Sequence, residues 1–386
     1  MANQHPKPNR QYLERVKIAG FKSIRDVSIE LRPDINVLIG ANGSGKSNFI
    51  ETFDFIHMLF TQQLTRYVTD KGGADSILHF GRDTTQSLHI LLEYSIGSDT
   101  DATRTYEVRL RPNDQDQLVI TNEVAHYHQR ARYEQSYDKP VATNQFESGL
   151  SQNQHITSRK LLELLKAYRI YHFHDAGPGS PPRRTANRAD SVHLQSNGSN
   201  IAAWLYQLRE ADWEAFDLIE SLVRRVSPFF EGFHPRPIDS AGLHIRLDWK
   251  ARGRDKYFDV AAMSDGTVRF ICLACLLLQP DPPPLILLDE PELGLHPNAI
   301  AILAGMLDSA SAGTQLIVST QSVTLVNHFE PRYVWCVDRI ADATVLRNLE
   351  NKRFIGWLED YALGDFWEKS LVWEENGVIE SGGIPQ

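Results

Sequence analysis

An α/β fold with a mixed sheet and an inserted, mainly helical second lobe is what this sequence predicts. Three observations lead there. A short apolar strand runs into a glycine-rich loop, residues 40–47, and the loop runs into a helical pattern. A second apolar strand, residues 285–288, ends in two carboxylates, Asp289 and Glu290. The long stretch between these segments holds its own helices, so one nucleotide-binding core is split in two by an insertion.

Composition narrows the class. The chain has 386 residues, 42% hydrophobic and 23% charged, which is ordinary globular usage with enough apolar material for a large core. Forty basic against 49 acidic residues give a net charge of −9. Bulk attraction to nucleic acid or an anionic membrane is therefore not expected, although a local basic strip is compatible with it. Three cysteines, Cys272, Cys275 and Cys336, cannot make a disulfide framework, and a reducing, cytoplasmic setting is expected. Cys272 and Cys275 lie in the longest apolar run, residues 270–278, and read as core residues of a buried helix. That run is well short of the roughly twenty residues of a membrane span. The polar N-terminus has no apolar signal region.

Taken in order, residues 1–10 read as a flexible tail. Short apolar or alternating blocks over 11–39 predict strands, and 48–60 has helical spacing. Alternation returns over 88–119 as two antiparallel strands. Residues 122–155 are polar, rich in Gln, Tyr and His, and are expected to be irregular. Residues 158–168 predict an amphipathic helix with Ser158 as its cap, and 168–174 a strand. Residues 177–200 form a Pro/Gly/Ser/Asn-rich loop of the length that often carries function. Two helices (201–210, 211–226), a strand (242–249) and a helix (268–279) follow, until the Pro run at 282–284 breaks the chain. Beyond it strands and helices alternate, as in a parallel sheet flanked by helices. The expected organisation is lobe one from 11–120 and 265–386, with 121–264 as insertion and helical lobe two, the lobe itself over about 150–260.

Residues 40–48 read Gly40, Ala41, Asn42, Gly43, Ser44, Gly45, Lys46, Ser47, Asn48, matching G-x-x-x-x-G-K-[ST] at every fixed position. Glycines let backbone N–H groups close around phosphates, and the following helix N-terminus adds its dipole. Lys46 is expected to reach the β- and γ-phosphates and Ser47 to hold Mg²⁺. Asp289 is expected to bind the same Mg²⁺, directly or through water, and Glu290 to polarise the attacking water. ATP and Mg²⁺ are the cofactors this implies.

The ordering of further motifs resembles ABC-type ATPases, in particular the RecF-like and SMC-like branch. Ser264-Asp265-Gly266-Thr267 before a helix resembles the signature motif, residues 289–297 (DEPELGLHP) the joined acidic strand and D-loop, and residues 318–329 the switch strand. Residues 18–31 resemble that branch's N-terminal hairpin, and residues 361–372 (YALGDFWEKSLV) a recurring ending in bacterial AAA-family ATPases associated with phage defence, akin to the ATPase part of overcoming-lysogenisation-defect nucleases. The resemblance implies an ABC-type P-loop NTPase head that works as a homo-oligomer, at least a dimer. Two heads would sandwich ATP, with Ser264, Asp265 and Gly266 meeting the neighbour's nucleotide. It also implies a separate nuclease or toxin effector as partner, and possible nucleic acid, with no membrane.

The chain departs from the family pattern at the switch, where Gln321 stands in place of the usual histidine. Glutamine hydrogen-bonds but does not titrate near neutral pH, which implies slow turnover. His174 or Asp175 is the candidate for the Q-loop position, with ordinary strand and turn residues as the alternative. His172 and His174 alone do not make a metal site. Arg82 is either a phosphate contact or an exposed loop residue. Arg183, Arg184 and Arg188 make the best local basic patch, or else a solvated loop. A RecF-like DNA-repair ATPase, a transporter subunit and an ATP-binding scaffold with little hydrolysis stay open as other readings.

Overall fold

Two kinds of strand are visible in the first forty residues. Burial alternates along residues 24–30, as in a sheet with one face on a core, and is unbroken over 35–39, as in a strand covered on both faces. The structure, a computed structural model, describes residues 10–97, 101–173, 175–177 and 179–350. Its chain opens with β1 (Gln11–Phe21), β2 (Ile24–Glu30) and β3 (Ile35–Ile39), then α1 (Lys46–Phe60), α2 (Leu64–Asp70) and α3 (Ala74–Ile77). Next come β4 (Leu88–Ile96), β5 (Ala102–Pro112), β6 (Leu118–Gln129), β7 (Tyr137–Ala142), α4 (Ile156–Ala167) and β8 (Tyr168–Tyr171). Between β8 and the Pro run at 282–284 lie β9 (Ala186–Asn187), α5 (Ile201–Ala211), α6 (Trp213–Val226), β10 (Phe230–Pro237), β11 (His244–Ala251), β12 (Tyr257–Asp259) and α7 (Asp265–Leu277). The described chain ends with β13 (Leu285–Asp289), α8 (Pro297–Ser311), β14 (Gln315–Thr320), α9 (Val323–Val326), β15 (Val334–Ile340) and β16 (Ala343–Asn348).

The central sheet is mixed, in the order β16-β15-β3-β14-β13-β8. Its neighbours are parallel except at the β15–β16 hairpin. Alternate side chains serve two cores. Leu38, Leu287 and Ile317 face α1 and the antiparallel sheet, whereas Val37, Ile286 and Val318 face α7 and α8. Phe49 and Phe53, one turn apart on α1, meet edge to face at 5.9 Å. Burying each such ring contributes about 2–3 kcal/mol. Among the described residues no helix is long and apolar enough to cross a membrane.

The segment at 122–155 corrects the sequence reading. Instead of an irregular insertion it supplies β6 and β7, which extend an antiparallel sheet of order β2-β1-β4-β5-β6-β7. The alternation was hidden because β7 is buried only at Ala142 and the outer face of β6 is only half-buried, which admits His, Tyr and Gln there. Residues 121–142 thus pack with the first lobe. The segment between β8 and β13 lays helices on a small sheet, β10-β11-β12 with β9 beside β11, and the strand expected over 242–249 is β11. The cap of α4 is His155, whose ring accepts from the Thr157 N–H at 3.3 Å; Ser158 is buried one turn in. Residues 1–9 of the expected tail and the motif at 361–372 lie outside the described residues.

Candidate functional site

The three strands β3, β14 and β13 are adjacent and parallel, so their C-terminal ends open on one edge of the sheet, where parallel sheets place ligands. From β3 rises the glycine loop. Gly43 and Gly45 have φ of +81° and +106°, and a Cβ on Gly45 would lie 2.0 Å from the Thr344 hydroxyl. The positive φ at both glycines bends the chain sharply ahead of α1. Lys46 is 3% exposed, and its ammonium donates to the carbonyls of Gly40 at 2.7 Å and Ala41 at 3.1 Å. Burial lowers the Lys46 pKa, while Glu290, Asp289 and Glu292 raise it in opposition. Ala41, Asn42, Gly43 and Ser47 are exposed on the open side; Ser44 is buried and Asn48 half-buried.

From β13 come the carboxylates. The hydroxyl of Ser319, directly across on β14, donates to Asp289. Glu290 leaves the strand with φ +44°, a left-handed conformation that costs a non-glycine residue about 1–2 kcal/mol, and its N–H donates to the Ser319 carbonyl at 2.9 Å. Its side chain meets Gln321, whose amide donates to it at 3.1 Å. The structure therefore brings Lys46, Asp289, Glu290 and Gln321 to one sheet edge.

Sequence reasoning missed Glu292. It is 6% exposed and accepts from the Thr320 hydroxyl at 2.5 Å and the Gln321 N–H at 3.3 Å, and burial raises its pKa. It holds the base of the switch segment. A third carboxylate within four residues was the available signal. Also unseen was a relay behind the loop. Asn48 donates to Ser23 at 2.7 Å, Ser23 pairs with Thr344 at 2.7 Å, and Thr344 donates to the Ser44 carbonyl at 2.9 Å.

Ser264 caps α7, accepting from the Thr267 N–H at 3.3 Å and pairing with its hydroxyl at 2.8 Å. Ser264 and Asp265 are exposed, and Gly266 is half-buried. A Cβ on Gly266 would lie 2.6 Å from the Gly294 carbonyl, so the segment after Glu290 packs against the start of α7. Arg269 reinforces that contact, donating to the Phe173 carbonyl at 2.8 Å and to the Leu293 carbonyl.

β8 pairs in parallel with β13, so His172 follows it at this same edge, where the Asp289 charge acts on it. Asp175 is exposed, and His174 lies outside the described residues. A hydrogen bond to Asp54 raises the His172 pKa, against the effect of burial. Arg82 is exposed in a polar depression with Arg111 and Asp114. The expected basic patch is dispersed: Arg184 is exposed, Arg188 stacks on Tyr206 at 5.2 Å, and the Arg183 side chain is 3% exposed within protein. Burial pushes the Cys272 thiol up to about 12, consistent with a core role. Among the described residues no group of three or more His, Cys, Asp or Glu side chains is arranged to hold a metal ion.

Residues 35–327 match the protein family described as "AAA domain, putative AbiEii toxin, Type IV TA system". The chain belongs to this AAA-domain family. It is an ABC-type ATPase relative in sequence and fold. The DNA replication and repair protein RecF of Acidothermus cellulolyticus is 33% identical over 90 residues, 22% of this chain and 23% of that protein. Structural maintenance of chromosomes protein 3 of Saccharomyces cerevisiae is 49% identical over 47 residues, 12% of this chain and 4% of that protein. The chain thus spans a quarter or less of the length of these curated relatives. The solved SMC head bound to the C-winged helix domain of ScpA superposes with a TM-score of 0.59 at 17% identity, over 89% of this chain and all of that one. The SMC head of Pyrococcus furiosus with an extended coiled coil gives 0.55 at 15% identity, over 91% and 99%. The chain therefore shares the SMC head fold.

Proposed function

We propose that this AAA-domain ATPase hydrolyses ATP with Mg²⁺ and that two copies close around the nucleotide, using closure as a switch for a toxic effector on a separate subunit. One observation carries the reading. The loop, carboxylates and Gln321 meet at one sheet edge, while Ser264, exposed at the start of α7, spends its side-chain hydrogen bonds on Thr267 and none on that cluster. A single copy leaves that anion-favouring helix start unused.

The donor set suits a hard cation, with a serine hydroxyl at Ser47 and the Asp289 carboxylate, both oxygen ligands. Bound there, Mg²⁺ supplies neutralisation of phosphate charge. Lys46 gives up its carbonyl contacts to face phosphate oxygens, because an ammonium with two neutral acceptors gains more from an anion. Glu290 accepts the proton of the attacking water, and Gln321, bonded to the same carboxylate, orients that water with its amide. Without a titrating group at 321, turnover is slow.

The test is complementation between copies. Lys46→Ala and Ser264→Arg chains, each unable to pair with itself on ATP, should form ATP-dependent heterodimers on mixing, because one composite site is intact. Finding that Ser264→Arg dimerises normally, or that crosslinks join Ser264 to residues 40–47 of its own chain, refutes the sandwich. The sequence similarity to RecF supports a second reading, a DNA-binding ATPase. The net charge of −9 argues against it, and a salt-dependent DNA-binding titration separates the two.

A further inference from the structure

Arg183 belongs to the long loop between β8 and α5, yet its side chain is only 3% exposed. Its Nε donates to the Ala176 carbonyl at 2.8 Å. One terminal nitrogen faces the carbonyls of Val260, Ala261 and Met263 at 3.2, 2.8 and 2.9 Å. The other donates to the Asp265 carboxylate at 2.7 Å. One planar guanidinium thus gathers four carbonyls and a carboxylate, a task its rigid fork suits and a lysine cannot perform.

All these acceptors but Ala176 belong to residues 260–265, the turn that delivers Ser264 and the first N–H groups of α7. Two consequences follow. Without Arg183 the turn loses the contacts that fix its shape. The same turn also becomes negative, because its carbonyls and Asp265 converge uncompensated beside the helix start. A surface in that state repels a polyanion. Asp265 makes this acute, since it sits in the first turn of α7 with 60% of its side chain exposed.

We propose that Arg183 is a positioning residue for the Ser264-Asp265-Gly266 segment, which it shapes and whose carboxylate it neutralises so that the neighbouring copy's triphosphate is accepted. The proposal rests on the two-copy reading above. Arg183 acts through the turn and touches no nucleotide. Its place in the loop that enters the inserted lobe, anchored through Ala176, also makes the shape of this segment depend on the junction between lobes.

The experiment measures ATP-dependent dimerisation and single-chain ATP binding with the full chain. Arg183→Met should keep the melting temperature within a few degrees and ATP affinity within about twofold, because Lys46 and its loop are untouched. It should raise the concentration for half-maximal ATP-dependent dimer by tenfold or more. Adding Asp265→Asn should recover at least threefold of that loss, since it removes the charge Arg183 neutralised. A merely structural role gives no such recovery. Mixed with Lys46→Ala, the Arg183→Met chain should form ATP-dependent heterodimers as Ser264→Arg does. Should Arg183→Met be insoluble, Arg183→Lys, with charge but no fork, should itself raise that half-maximal concentration by threefold or more with ATP affinity unchanged. Normal dimerisation by Arg183→Met, additive loss in the double variant, or failure to pair with Lys46→Ala while Ser264→Arg succeeds overturns the proposal. Failure of the Ser264→Arg pair as well refutes the two-copy reading itself, and this proposal with it.

Discussion

Glu290→Gln isolates the chemical step. Glutamine keeps the volume of glutamate and is as poorly suited to the φ of +44° at this position, so backbone strain is unchanged. The side chain is half-buried and its nearest polar partner is the Gln321 amide at 3.1 Å, which can still find an oxygen on the new amide. Folding stability should therefore stay within about 0.5 kcal/mol of wild type. What disappears is the base. Loss of a positioned general base lowers turnover by about 10²- to 10⁴-fold. At about 1.36 kcal/mol per decade the barrier rises by about 2.7–5.4 kcal/mol. Binding should move the other way. Glu290 acts on Lys46 alongside Asp289 and Glu292, so the site holds three carboxylates and one ammonium, and removing one negative charge favours a polyanion. Phosphate release under saturating ATP gives the first quantity and equilibrium titration with a fluorescent ATP analogue the second. The ATP-bound dimer should also persist longer in size-exclusion runs. Turnover within about threefold of wild type, with intact ATP binding, shows that another group activates the water, and the pairing of Glu290 with Gln321 then has no catalytic meaning.

Two further outcomes follow from the same geometry. Gln321→His places an imidazole beside Glu290; the carboxylate favours its charged form, so turnover should acquire a titration with midpoint above the ordinary value of about 6.5, which the wild-type profile lacks at this position. Overlapping pH profiles from pH 6 to 8 for the two proteins contradict this. Glu123 is fully buried on β6 and accepts from the Tyr106 hydroxyl at 2.7 Å, the Ser148 hydroxyl at 2.5 Å and the Gly149 N–H at 3.0 Å, so Glu123→Ala orphans three donors and should cost about 3 kcal/mol or more in urea denaturation. Burial raises the Glu123 pKa above its ordinary 4.5. Its protonated form is therefore favoured on folding, so its contribution is full below pH 4.5 and is lost as pH rises through the folded value. Glu123→Gln should lack that slope.

The fold and the central site were legible for different reasons. Residues 35–39 and 285–289 sit between helices on both faces, so burial forces unbroken apolar runs that are hard to mistake. The glycine loop was legible because its backbone excludes other residues at Gly43 and Gly45. The strands β6 and β7 were not, because the edge strand β7 is buried only at Ala142 and the outer face of β6 is half-buried, so neither imposes a strict apolar period. Arg183 was misread for a related reason. Sequence shows that a loop carries arginines, but burial of one of them depends on carbonyls at 260, 261 and 263, far along the chain.

The relay behind the loop shows what kind of constraint escapes a linear reading. Ser23 lies in the β1–β2 turn, Asn48 in the first turn of α1 and Thr344 at the start of β16, so no spacing connects them. Their chain of hydrogen bonds ends on the Ser44 carbonyl and has one consistent direction. Thr344 gives its proton to that carbonyl, so it must accept from Ser23, which leaves Ser23 to accept from the Asn48 amide. The Ser44 carbonyl is thereby engaged from behind the loop. The same contacts tie the loop to an antiparallel hairpin on one side and to the edge hairpin of the mixed sheet on the other. The three side chains that make this tie, Ser23, Asn48 and Thr344, come from segments far apart in the chain.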